Sequence, residues 1–132
     1  MLAKWMLIAA GGALGAVFRV GLGEVVSAST GKGFWGTFCV NLLGCFIMGG
    51  LKALVEHEGL GSEAARTFLL GGFIGAFTTF STFMADGVVI WREGSSMGTI
   101  LYLGGSVIGG GICFLLAWWL ATRFMLAGGG GV

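Results

Sequence analysis

The sequence predicts an all-α membrane protein with four transmembrane helices, the third of them broken within the bilayer. Three observations carry this expectation. Hydrophobic residues make up 56% of the 132-residue chain and charged residues 10%, with a mean hydropathy of +0.97; integral membrane proteins have this balance and soluble bundles do not. Four apolar stretches each approach the roughly 20 residues that a bilayer crossing needs. Proline is absent, so the 28 glycines are the strong backbone breakers, and a group of them opens the third stretch.

The first crossing is expected from about Trp5 to Val26, interrupted by Arg19. Gly33 to Leu51 forms the second, uncharged and carrying the polar Asn41. Thr67 to Ala85 forms the third, extending past Asp86 to Ile90, and Gly94 to Thr122 the fourth. The connections fall at Ser27 to Lys32, Lys52 to Arg66 and Arg92 to Ser96, with His57 standing in the second of them between Glu56 and Glu58. Residues 1–127 then make one transmembrane domain, and 128–132 a glycine-rich tail. Both termini lie on one side, with Lys4, Lys52, Arg66 and Arg123; the other side carries Lys32 and Arg92, joined by Arg19 if it reaches that interface. So small a difference suits either plain termini-inside insertion or dual topology, in which copies insert both ways. Four helices enclose little interior, which points to oligomers. Gly11 with Gly15, Gly71 with Gly75, and Gly105 with Gly109 are small-residue pairs suited to close helix approach.

The third crossing holds the most informative run, Gly71 to Phe83. Its glycines weaken the helix, and Thr78, Thr79, Ser81 and Thr82 offer hydroxyls that compete for backbone bonds. Broken backbone at membrane depth is tolerated only where protein or a wet cavity surrounds it. A helix ending near Gly75 to Thr78 presents carbonyls that favour a cation. The half-helix restarting around Phe80 presents amides, with Thr79 or Ser81 as its N-cap. Phe77, Phe80 and Phe83 recur every third residue and would stack along one side of a continuous helix. Ring edges are electropositive, so Phe80 and Phe83 presented edge-on would stabilise an anion without a full charge; packing is the common alternative.

Polar groups elsewhere in the crossings are costly enough that each is a candidate site residue. Arg19 suits either an interface anchor or a vestibule that draws anions in. The Asn41 amide donates two hydrogen bonds, which suits a small anion or interhelical bonding. Asp86 shares the face of Phe83 and Thr82 and would carry protons, bind a cation, or pair with Arg19 or Arg92. Tyr102 and Ser106 form a polar stripe at i, i+4, continued by Gly110 without a side chain.

Several function classes are excluded. There is no basic run, so nucleic-acid binding has no electrostatic footprint. Cys39, Cys45 and Cys113 lack metal-ligand spacing and read as buried packing residues. His57 is the only histidine, and no nucleophile and base set exists at membrane depth, so the chain is expected not to be an enzyme.

Three stretches resemble the Fluc (CrcB-type) fluoride channels across nearly the whole chain: Gly11-Gly12-Ala13-Leu14-Gly15-Ala16-Val17-Phe18-Arg19, Gly36-Thr37-Phe38-Cys39-Val40-Asn41-Leu42-Leu43-Gly44, and Gly75-Ala76-Phe77-Thr78-Thr79-Phe80-Ser81-Thr82-Phe83. The resemblance implies an antiparallel dual-topology homodimer with two fluoride pores in a bacterial inner membrane. By position it assigns Phe80 and Phe83 to the ring edges of the path, Asn41 to the pore amide, Tyr102 and Ser106 to a polar track, and Arg19 to the vestibule. It places a structural Na⁺ on the Gly75 and Thr78 carbonyls at the dimer centre. Two positions depart from the family pattern: Gly110 stands where the track has another hydroxyl, with Phe114 a turn later, and Asp86 where Glu is common. At Gly110, water or backbone would supply the bonds, or the track would be shorter.

The resulting expectation is a passive fluoride-selective channel that replaces the ion's water with Asn41, the hydroxyls of Thr82, Tyr102 and Ser106, and the two ring edges. The rival is a proton-coupled small multidrug exporter, which needs a membrane-embedded carboxylate; Glu24 lies only near the end of the first crossing, and Asp86 is the one deep acid. A non-transporting packing subunit is the third class.

Overall fold

A computed structural model describes residues 1–58 and 61–128. Among the described residues, four helical spans are long and apolar enough to cross a membrane. They comprise α1 (Leu2–Thr30), α2 (Gly33–Glu58), a segmented third span, and α6 (Ser96–Gly128). The third span is α3 (Glu63–Arg66), a π-helical stretch (Thr67–Ile74), α4 (Gly75–Phe77) and, after a break, α5 (Phe80–Arg92). The part of the expected glycine tail that follows Gly128 lies outside the described residues.

The helices outrun the expected crossings. At 29 residues α1 is about 43 Å long, more than the roughly 30 Å hydrocarbon core, so its ends reach the headgroups. Ser27 to Thr30 were expected in a connection but extend α1. There the Ser29 and Thr30 hydroxyls donate back to the Val26 carbonyl, both at 2.8 Å, and Gly31 closes the helix in the left-handed region at φ 72. The second connection is also shorter than expected, because Lys52 to Glu58 continue α2. Ala53 is fully buried while Lys52 and Glu56 are exposed, so this segment has an apolar face to bury and a charged face for solvent. His57 therefore lies in the last turn of α2 and not in a loop.

Glycines set the helix spacing. A Cβ on Gly11 would meet the Phe68 carbonyl and lie 2.9 Å from the Phe73 nitrogen, and one on Gly15 would meet the Phe73 carbonyl. Backbone thus packs directly on backbone between α1 and the third span. The partner on the third span is Gly72, whose own Cβ would lie 3.0 Å from the Gly11 Cα. The small-residue pair Gly71 and Gly75 is not used inside the chain: both are exposed, and a Cβ on Gly71 would meet nothing within 4 Å. On the opposite side α2 packs along α6, where Gly49 sits against the Phe114 carbonyl and Gly109 against Leu42.

The third span breaks where expected. Thr78 (φ −79, ψ 154) and Thr79 (φ −144, ψ 120) are extended, and α5 begins at Phe80. The N-cap is Thr79 and not Ser81: its Oγ1 accepts the Thr82 amide at 3.3 Å and donates to the Thr82 hydroxyl at 3.1 Å. The three phenylalanines do not line one side, because the break separates Phe77 from the other two. Phe77 and Phe83 are buried, at 3% and 6% exposure, while Phe80 is 75% exposed.

Candidate functional site

The break is held open by one side chain. Asn41, in the first half of α2, donates from Nδ2 to the Thr79 carbonyl at 3.0 Å and accepts the Thr79 amide on Oδ1 at 2.8 Å. It therefore does what a neighbouring strand would do, satisfying both backbone groups of an extended residue at membrane depth. One turn along the same face, Gly44 makes room for the Thr78 methyl group and lies against Phe77. The spacing of Asn41 and Gly44 thus positions both extended residues. The amide keeps its second N–H, so interhelical bonding and anion donation are compatible roles for this residue.

The break also redirects amides. In an unbroken helix the Thr79 amide would close on the Gly75 carbonyl and the Thr82 amide on Thr78; here they donate to Asn41 and to the Thr79 hydroxyl. The Gly75 carbonyl thereby loses its helical partner at the negative end of α4, on a stretch where Gly75 is exposed and Thr78 follows in extended conformation. Oxygen donors at a negative helix end suit a hard cation.

A cavity of about 250 Å³ lies against the break, lined by Asn41, Cys45, Thr79, Phe80, Phe83 and Ser106 among others. It brings together four of the residues expected to contact an anion. The Phe80 and Phe83 rings lie 5.7 Å apart at 51°. Arg19 and Thr82 lie elsewhere, in a separate cavity of about 320 Å³ with Glu24, Ser27 and Thr37. Thr79 borders both cavities, so the Asn41–Thr79 contact stands between them.

The stripe on α6 also divides. Ser106 donates back to the Tyr102 carbonyl at 2.7 Å and lines the Asn41 cavity. Tyr102 is buried, packs on Phe83 at 5.6 Å, and borders a third cavity of about 370 Å³ with Lys32, Phe34 and Phe38. Its hydroxyl donates to Asp86 Oδ2 at 3.2 Å, so the partner of Asp86 is Tyr102 and neither Arg19 nor Arg92. Asp86 itself lines a cavity of about 310 Å³ with Lys32, Phe34 and Glu93. Sequence reasoning missed Phe34 and Phe38 as neighbours of Tyr102, and no local pattern marks them.

Gly110 is accounted for by packing. A Cβ there would lie 3.2 Å from the Cys45 Sγ, so a side chain at residue 110 would press on the thiol. The i, i+4 relation of Asn41 and Cys45 on α2 was the available signal.

Four apolar spans among the described residues, one of them interrupted beside clustered polar groups and two phenylalanine rings, define a multi-pass membrane protein with a discontinuous helix, an architecture found at ion-binding sites. The chain belongs to the CrcB family: the family described as "CrcB-like protein, Camphor Resistance (CrcB)" matches residues 6–118, from early α1 to late α6. Its relatives include proteins named fluoride-specific ion channel FluC. That of Thermus thermophilus is 42% identical over 105 residues, covering 79% of this chain and 83% of the relative. That of Aeromonas salmonicida is 40% identical over 101 residues, covering 76% and 81%. That of Chlorobium phaeobacteroides (strain BS1) is 40% identical over 120 residues, covering 90% and 93%.

Proposed function

We propose that this protein is a passive fluoride-selective channel that lets a bacterial cytoplasm lose fluoride across the inner membrane. The observation that carries the reading is the cavity at the break, where the Asn41 amide, the Ser106 hydroxyl and the Phe80 and Phe83 rings converge. Fluoride is small and strongly hydrated, so a path must replace its water with closely spaced donors. Ring edges add positive potential without the full charge that would hold the ion in place. A negative-inside potential drives an anion outward by about 2.3 kcal/mol per 100 mV, so no energy source is required. The names of the relatives support the choice of ion.

The working unit in this reading is an antiparallel homodimer with two paths. The small charge difference between the two sides supports it, as do the uncovered Gly71, Gly75 and Phe80 on the third span, which leave room for close approach by a second copy. At its centre the Gly75 and Thr78 carbonyls of both copies would hold a Na⁺, whose contribution is to bind the two breaks together. Arg19, beside Glu24 and Ser27 in its cavity, draws anions towards a vestibule. Asp86 holds the Tyr102 hydroxyl in place, and Thr82 and Ser81 belong to the first turn of α5.

The multidrug-exporter reading is weaker, because Asp86, the carboxylate it needs deep in the membrane, accepts the Tyr102 hydroxyl and lines a cavity beside the helix links with Lys32 and Glu93. The two are separated by measuring fluoride release from liposomes that carry the purified protein, using a fluoride electrode. The channel reading expects rapid fluoride release with chloride retained. Release of both ions alike, or of neither, contradicts it.

A further inference from the structure

We propose that Cys45 forms part of the fluoride path, its thiol supplying the wall at the level where α6 offers only Gly110. The proposal rests on the channel reading above. Asn41 and Ser106 line the cavity at the break from α2 and α6 respectively. One helical turn further along each helix, on the same faces, stand Cys45 and Gly110. Cys45 lines that same cavity. A Cβ at position 110 would lie 3.2 Å from the Cys45 Sγ and 4.0 Å from its Cβ, so the two positions face each other and share one space. Side chains at both positions would crowd each other, and in this chain the polar group at that level is the Cys45 thiol. The polar wall therefore continues past Ser106 by crossing from α6 to α2.

The chemistry fits a small anion. A thiol is a weak S–H donor, so it can accompany an ion without holding it, and its bulk narrows the passage more than a hydroxyl would. The other two thiols do not line this cavity: Cys39 is two residues before Asn41, and Cys113 lies on α6 a turn beyond Gly110.

Two sets of measurements in fluoride-efflux liposomes test the assignment. The first uses a Cys39→Ser/Cys113→Ser protein, in which Cys45 is the one thiol. Methyl methanethiosulfonate is added. The Cys45 thiol gives its proton to buffer, its sulfur bonds to the methylthio sulfur of the reagent, and the S–SO₂ bond breaks to release methanesulfinate. Fluoride efflux is expected to fall several-fold and to recover on reduction with dithiothreitol. Undiminished efflux overturns the proposal. If mass spectrometry shows no adduct, the thiol does not face the path; if it shows one, the path runs elsewhere. The second set uses the native background and decides the matter if the double variant is inactive. Gly110→Ser, which crowds Cys45, is expected to lower efflux several-fold. Cys45→Ala combined with Gly110→Ser, which moves a hydroxyl into the vacated space, is expected to restore it. A combined variant no better than Gly110→Ser alone contradicts the shared rung. Failure of the unsubstituted chain to release fluoride would remove the channel reading itself.

Discussion

Replacing Asn41 with Leu should abolish fluoride efflux and weaken the fold together. The side chain satisfies both the N–H and the C=O of Thr79, and leucine can pair with neither. Each orphaned group costs about 1–3 kcal/mol, so a loss of about 2–6 kcal/mol is expected, read as earlier unfolding in detergent melts. Asn41→Asp separates the two roles. Its carboxylate still accepts the Thr79 amide but cannot donate to the Thr79 carbonyl, and it places a negative charge on the cavity wall. That variant should fold better than the Leu variant and still fail to pass fluoride. Normal efflux from Asn41→Asp would show that the amide is structural only.

The phenylalanine pair gives the second large effect, and the unequal burial of the two rings makes it informative. Phe80 is 75% exposed within the chain, so Phe80→Ile should leave the stability of the single chain nearly unchanged. Phe83 is 6% exposed and packs on Tyr102, so Phe83→Ile should cost about 1.5 kcal/mol. If ring edges carry the anion, both variants nevertheless lose most of their fluoride efflux, because isoleucine offers bulk without an electropositive rim. Efflux that tracks stability, with Phe80→Ile normal and Phe83→Ile reduced, would assign the rings to packing.

Much of this was legible in the sequence because bilayer physics is strict. Uncharged length marked the four spans, and the glycines with the hydroxyls of Thr78 and Thr79 located the break to within a residue or two. The ends of the helices were not legible. Lys52 to Glu58 read as a loop by charge, yet tertiary burial of Ala53 kept them helical. The π-helical winding from Thr67 to Ile74 left no pattern to read, and the close contact of Gly72 with Gly11 had no sequence signal. Residue roles were legible as types but not as partners. Asn41 was recognisable as a costly amide, whereas its bonding to Thr79 spans 38 residues of sequence and depends on packing between α2 and the third span. The same holds for Tyr102 with Asp86 and for Cys45 with Gly110, each a contact between helices with no local signature.

The most direct measurement is the reversal potential of the purified protein in a planar bilayer, with a fluoride gradient and symmetrical chloride. A fluoride-selective channel reverses at the fluoride equilibrium potential, about 59 mV for each tenfold gradient, and keeps that value when the chloride on one side is changed. A reversal potential that stays at zero, or that moves with chloride, would contradict fluoride selectivity.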